Sequence, residues 1–314
     1  MKILVTGAGG FVGGHLLPAL TAAFPAAELI GCGNAPGDRP LELTDAASVD
    51  DAVREIRPDA CVHLAAIAAI SAARTDPDLA WRVNLGGTLA LARAILRHAP
   101  ACRLVFASSA DLYGASFRAG VALDEAALLA PLNTYSATKA TADLALGAMA
   151  AEGLRVVRMR PFNHTGPGQS TAFVVPDFAR QVMRIQAGLQ AAVLRVGDLS
   201  PMRDFLDVRD VCAAYAACLR PEIELPCGQI LNLASGRPVR IADVLQGLLD
   251  VAGVQASIET DAALLRPTDI PVAIGNAEAA LRLLGWQPKI AWQTTLGDVI
   301  EDWRVRVKSE NVSC

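Results

Sequence analysis

The chain has 314 residues, 53% of them hydrophobic, and a formal net charge of -4 with Lys and Arg scattered along it. That content excludes a disordered or fibrous chain, and the charge excludes a nucleic-acid or acidic-membrane surface while leaving arginines free to hold a small anionic ligand. The length suits one α/β unit plus a smaller lobe.

The first apolar run, Ile3 to Thr6, leads into Gly7, Gly10 and Gly13, and Phe11-Val12-Gly13 opens a helix. A strand, a glycine-rich turn and a helix N-terminus in that order present backbone N–H groups to a pyrophosphate. The second strand starts at Glu28, and its end, Leu29 to Asn34, carries no acid to hold ribose hydroxyls or repel a 2'-phosphate. The cofactor expected is therefore NADP(H), with NAD(H) as the alternative, and Asn34 and Arg39 are candidates for the adenosine end.

Farther on, Thr44 or Asp45 caps a helix over 46–56, and strands follow at 60–65, 103–108 and 154–160. Asp76-Pro77 opens a helical stretch that continues through Ala80 to His98. This βαβ rhythm predicts an α/β fold, a doubly wound parallel sheet, with a smaller C-terminal substrate-binding α/β lobe. Beyond Pro161 the pattern breaks into shorter pieces, including a helix from Asp207 to Leu219 and a terminal helix from Thr295 to Val305; the polar tail from Lys308 is expected to fray. The division expected is a dinucleotide-binding domain over 1–165 with returns near 198–232 and 292–306, and a lobe of 166–197 and 233–291.

Tyr135 and Lys139 lie one helical turn apart. An ammonium that close favours the phenolate, which makes the tyrosine a usable proton donor and acceptor near neutral pH. Together with the phosphate loop, this is the acid-base half of a carbonyl/alcohol oxidoreductase.

Seven cysteines, dispersed and without a C-x-x-C pair, read as buried thiols in a reducing, cytoplasmic compartment. No signal peptide is expected before the first strand, no apolar stretch is long and unbroken enough to span a membrane, and no metal is expected because no cluster has metal-ligand spacing. His63 is expected to pack within its strand, and His164 alone of the histidines to lie near the chemistry.

Thr6 to Gly13, Cys61 to Ala66, Asn84 to Thr88, Ser108 to Gly114 and Tyr135 to Lys139 together resemble the extended short-chain dehydrogenase/reductase family of nucleotide-sugar enzymes. The resemblance implies a Rossmann fold and makes Ser109, four residues before Tyr113, the catalytic hydroxyl. It also implies that Glu42-Leu43 hold adenine, that Leu64, Ala65 and Ala66 lie along the cofactor, and that Phe162 borders it.

Arg160 to Gln169, Phe173 to Phe178, Val196 to Asp210 and Arg266 to Asp269 resemble more narrowly the branch of GDP-mannose 4,6-dehydratases and GDP-4-keto-6-deoxy-mannose reductases. By that resemblance Asn163, Arg203 and Arg266 contact the nucleotide diphosphate or its ribose, Val174 and Arg195 lie near the base, and Asp269 belongs to the substrate site. Arginine forks and an amide are suitable donors to a diphosphate.

Dehydratases of that branch carry a Glu two residues before the motif tyrosine, where this chain has Asp111. Aspartate is one methylene shorter, and a displacement of about 1 Å can cost on the order of 10²-fold in rate. A reductase needs Tyr135, Lys139 and Ser109 only. The function expected is reduction of the 4-keto group of a GDP-linked 4-keto-6-deoxyhexose, to GDP-D-rhamnose or GDP-6-deoxy-D-talose. The alternatives are a 4,6-dehydratase, a C4 epimerase and, from another class, a dinucleotide-sensing protein without turnover. The family also pairs subunits through helices here near 78–98 and 135–152, which implies a homodimer.

Overall fold

A computed structural model describes residues 1–33, 35–265 and 270–312. Its strands in chain order are β1 (Lys2–Thr6), β2 (Glu28–Gly33), β3 (Arg39–Pro40), β4 (Ala60–His63), β5 (Arg103–Ala107), β6 (Val156–Pro161), β7 (Asn163–Thr165), β8 (Val193–Val196), β9 (Met202–Asp207), β10 (Gln229–Leu233), β11 (Pro238–Arg240), β12 (Ser257–Thr260) and β13 (Val272–Ala273). The helices are α1 (Phe11–Ala23), α2 (Ala46–Ile56), α3 (Ile70–Thr75), α4 (Pro77–Trp81), α5 (Thr88–His98), α6 (Thr134–Ala151), α7 (Val174–Gln186), α8 (Val208–Ala217), α9 (Ile241–Ala252), α10 (Glu278–Leu284) and α11 (Trp292–Val312).

Side chains alternate across a strand, so β1 serves two cores. Ile3 and Val5 face α1 and α8 through Leu16, Leu20 and Val211. Leu4 faces α2 and α5 through Val53, Leu91 and Ile95. The resulting sheet has seven strands in the order β10-β6-β5-β4-β1-β2-β3, and all its pairings are parallel. This is the doubly wound Rossmann order, as expected, and its switch point lies between β1 and β4.

The smaller lobe is organised around β9, which pairs β11 antiparallel and both β13 and β7 in parallel. A separate core joins α7, α9 and α11 through Val182, Leu248, Val299 and Trp303. The apolar side of α11 packs on α7 and α9, while Asp298 and Thr295 reach Arg209 and Asp207 at the start of α8. One expectation fails here: the tail does not fray at Lys308, because α11 continues and Glu310 pairs with Arg184 and Arg180 of α7.

Asp45 and Asp76 cap their helices as the sequence suggests, accepting from the N–H groups of Ala47 and Leu79 at 2.9 Å each. The stretch after Asp76 is not one helix, however, because a π-helical segment over Arg82–Gly87 interrupts it and buries Asn84. Cys32, Cys61, Cys102, Cys212 and Cys218 are buried, whereas Cys227 is exposed. Among the described residues no helix is long and apolar enough to cross a membrane.

Candidate active site

The glycine loop leaves the C-terminal end of β1 at the switch point. Gly7 takes φ 71° and its N–H donates to the Cys32 carbonyl at 2.8 Å. A Cβ there would sit 2.8 Å from the Ala65 nitrogen, and one on Gly13 would sit 2.2 Å from the Ala8 carbonyl oxygen, so both positions require glycine. Gly10 begins α1 with no side-chain cap over the first turn of Phe11, Val12 and Gly13. Bare backbone at a helix N-terminus fits a dinucleotide diphosphate, and the half-buried Leu64, Ala65 and Ala66 form the facing wall.

The adenosine end differs from expectation. No acid ends β2, but the following loop folds back and brings one from farther along the chain. The Asp38 carboxylate accepts from the Gly9 N–H at 3.3 Å and lies 2.9 Å from where a Cβ of Gly31 or Gly33 would stand. Arg39 is ion-paired with Glu55 rather than waiting for a phosphate. Glu42 accepts from the backbone and hydroxyl of Thr44 at 2.9 and 2.6 Å, while Leu43 is buried beside Gly87. Asn34 lies outside the described residues.

Ser109, Tyr135 and Lys139 come together above the ends of β5 and α6. Asn133 caps α6 through a reciprocal box with Ser136, which fixes the helix on which Tyr135 and Lys139 stand. Ser109 leaves β5, accepts from the Asp111 N–H at 3.1 Å, and hydrogen-bonds the Tyr135 phenol. Burial raises the phenol's pKa, the nearby Asp111 charge raises it further, and the Ser109 hydrogen bond opposes both.

The Lys139 ammonium is anchored on the end of β5. Its Nζ donates to the Ala107 carbonyl and lies 4.3 Å from the centre of the Phe106 ring. Burial pushes the ammonium down to about 7 against the pull of Asp143.

Several further contacts support this cluster. Asn84, held in the π-helical segment, clamps the backbone of Ile67 at 2.8 and 3.2 Å and donates to Thr138 on the catalytic helix at 3.0 Å. Its position in a π-helix is the kind of local irregularity that accompanies functional sites. His63 bridges Thr6 and Thr88 at 2.6 and 3.0 Å. Burial holds it neutral, with a pKa of about 3, as a packed strand histidine. Phe11 stacks on His164 with centroids 6.4 Å apart, and His15 contacts the Pro167 carbonyl at 2.8 Å. These contacts tie the glycine-loop helix to the 163–169 segment.

On the substrate side, Asn163 is exposed on β7 in register with Phe205, two residues from Arg203 on β9. Arg203 is half-buried and donates to its neighbour's carbonyl at 2.8 Å. Burial raises the pKa of the Asp111 carboxyl, and the Arg203 guanidinium opposes this. Val174 begins α7, and Arg195 stands exposed on β8, where Gln181 holds its backbone.

The ring of Phe162 is buried against Phe117, 5.8 Å between centroids, and under Gly275, so it packs in the core. Arg266 and Asp269 lie outside the described residues.

Comparison with known proteins agrees with this geometry. Residues 3–234 match the model of the NAD dependent epimerase/dehydratase family. The chain is 36% identical to GDP-6-deoxy-D-mannose reductase of Pseudomonas aeruginosa, over 98% of this chain and 99% of that one. It is 30% identical to GDP-6-deoxy-D-talose 4-dehydrogenase of Aggregatibacter actinomycetemcomitans, over 91% and 92%. The solved structure of RMD from Pseudomonas aeruginosa complexed with NADPH superposes with a TM-score of 0.87 at 34% identity, covering 97% of this chain and 99% of that one. With its glycine cradle, parallel sheet and Ser-Tyr-Lys cluster, the chain belongs to the NAD dependent epimerase/dehydratase family.

Proposed function

We propose that the chain is an NADP(H)-dependent reductase of the 4-keto group of a GDP-linked 4-keto-6-deoxyhexose, giving GDP-D-rhamnose or GDP-6-deoxy-D-talose. The observation that carries the reading is the Tyr135 phenol, hydrogen-bonded by Ser109 on the helix that also bears Lys139, beside a glycine cradle for a dinucleotide. Ketone reduction ends with a proton donated to an alkoxide, which a neutral phenol does and a phenolate does not.

The residues at the glycine loop and its facing wall, Gly7, Gly10, Phe11, Val12, Gly13 and Leu64 to Ala66, would hold the dinucleotide. When bound, reduced nicotinamide supplies the hydride. Ser109 donates to the carbonyl oxygen as charge develops on it, Tyr135 delivers the proton, and the Lys139 cation offsets the phenolate left behind. Asn163, Arg195 and Arg203 are assigned to the GDP portion with Val174 at the base, and Asp111 to a hydroxyl of the sugar. The NADPH complex of the similar Pseudomonas structure supports NADP(H) as the preferred cofactor, with NAD(H) as the alternative that Asp38 suits.

A homodimer through α5 and α6 is part of this reading. Leu89, Leu96, Ala145 and Ala148 line a shared groove, and Leu144 is 58% exposed beside it. Light scattering at the mass of two chains supports it, and a monomer at micromolar concentration removes it.

The deciding experiment follows NADPH absorbance with GDP-4-keto-6-deoxy-mannose and then takes the NMR spectrum of the product. Consumption with a GDP-6-deoxyhexose product is expected. Failure to consume NADPH, with loss of water from GDP-mannose instead, would replace the reductase by a 4,6-dehydratase.

A further inference from the structure

Behind the catalytic cluster lies a buried charge network that the mechanism above does not use. Asp143 stands one turn beyond Lys139 on α6, and its side chain is fully buried. Four donors converge on it. Ser108 Oγ reaches one carboxylate oxygen at 2.7 Å and Arg160 Nε the same oxygen at 3.1 Å; Arg160 Nη2 and Arg158 Nη1 reach the other at 2.8 and 3.1 Å. The arrangement is built to admit these groups, since a Cβ on Gly147, one turn farther, would lie 2.6 Å from Arg158 Nη1. Arg160 also donates to the Tyr113 hydroxyl at 3.0 Å, which in turn donates to Asn232 at 2.7 Å.

We propose that Asp143 is a positioning residue for the reaction: a buried carboxylate, one turn from the Lys139 ammonium, that through Ser108 fixes the strand end that presents Ser109. The proposal rests on the reading of Ser109, Tyr135 and Lys139 as the catalytic groups. Two contacts make the link. Lys139 donates to the Ala107 carbonyl, and Ala107 is followed directly by Ser108, so the ammonium and the Asp143 carboxylate grip adjacent residues of the segment that ends in Ser109.

Burial disfavours the ammonium, and Asp143 is the charge that opposes this. The other groups around the pair are accounted for. His63 on β4 is held neutral, Arg158 and Arg160 on β6 are cations, and Tyr135 shares α6. Asp111 follows β5 and acts on Tyr135, Arg203 on β9 acts on Asp111, and Tyr215 on α8 is a neutral phenol beside Tyr135.

The sign of the test does not depend on which proton leaves first. Removing a negative charge one turn from Lys139 lowers the pKa of the ammonium, and it lowers that of a phenol in the same field as well. Asp143→Asn is therefore expected to move the alkaline limb of kcat/KM for ketone reduction down by about one pH unit or more. Asp143→Glu, which keeps the charge, returns the limb to its wild-type position. Arg158→Gln removes a cation from the same network, so it moves the limb the other way.

Profiles of Asp143→Asn and Arg158→Gln that superimpose on wild type, whatever their heights, would overturn the proposal. If Asp143→Asn does not fold, Arg158→Gln alone decides. Failure of the underlying catalytic reading is seen separately, as wild-type protein without turnover or as Tyr135→Phe protein that keeps the wild-type rate.

Discussion

The crevice over the ends of β1 and β4 has two walls built on different principles. On the catalytic side, the polar groups that matter are buried and joined by hydrogen bonds from four parts of the chain: Ser108 after β5, Asp143 on α6, Arg158 and Arg160 on β6, and Asn232 on β10. On the adenosine side the shape is made by glycines, and the charges beside it are exposed, with the Arg39 and Glu55 side chains 40% and 56% accessible. Removing one partner from a buried network leaves a desolvated group costing about 1–3 kcal/mol, whereas an exposed pair is worth about 0–1 kcal/mol. The first wall is therefore rigid and intolerant of change, and the second is open to retuning.

Substitution within the catalytic wall should have the largest effect. Tyr135→Phe deletes the proton donor and leaves the ring, so kcat for the ketosugar should fall about 10²–10⁴-fold while NADPH still binds, as fluorescence titration would show. An unchanged kcat breaks the mechanism. Gly13→Ala tests the shape of the other wall. Its methyl would meet the Ala8 backbone at 2.2 Å, so the loop must move, and kcat/KM should fall about 10²-fold through weaker cofactor binding. Binding as tight as wild type would show that the cradle adapts.

The two walls were unequally legible in the sequence. The apolar run of β1, the Asp45 and Asp76 caps and the glycine spacing are local patterns, and each stands in the structure where the sequence places it. Tyr135 and Lys139 were readable for the same reason, being one helical turn apart. Their environment was not, because the groups around Asp143 arrive from strands distant in sequence, and which carbonyl the Lys139 ammonium meets is decided by β5. Asp38 escaped because it reaches β2 by a loop that folds back. The interruption of the 77–98 helix was hidden too, since Asn84 earns its place only through Ile67 and Thr138.

Lys139 sharpens the comparison from the side of stability. Its pKa falls from 10.5 in the open chain to about 7 in the fold, burial being the main cause. The unfolded chain then binds the extra proton between those values, so this group's cost to stability is full below about pH 7 and fades as pH rises toward 10.5. Lys139→Met should lose activity and yet melt a few degrees higher than wild type at pH 6, with the gap closing near pH 10. A lower melting temperature for the variant at both pH values would mean that the ammonium contributes more through Ala107 and Phe106 than its burial costs.

The smallest effects belong to the exposed wall, and there one acid and one arginine make different predictions. Asp38 carries its carboxylate over Gly9 and beside β2, where it would attract the hydroxyls of an adenosine ribose and repel a 2'-phosphate. Asp38→Asn removes the repulsion and keeps the shape, so the ratio of kcat/KM with NADPH to that with NADH should rise about tenfold, in line with one partly screened charge pair. Arg39→Ala should change that ratio less than about threefold, because the guanidinium is already engaged by Glu55 at the surface. A large loss of NADPH use in Arg39→Ala, with no change in Asp38→Asn, would mean that the loop rearranges on binding to release Arg39 toward the phosphate. The adenosine wall would then be set by the cofactor, and the catalytic wall by the fold.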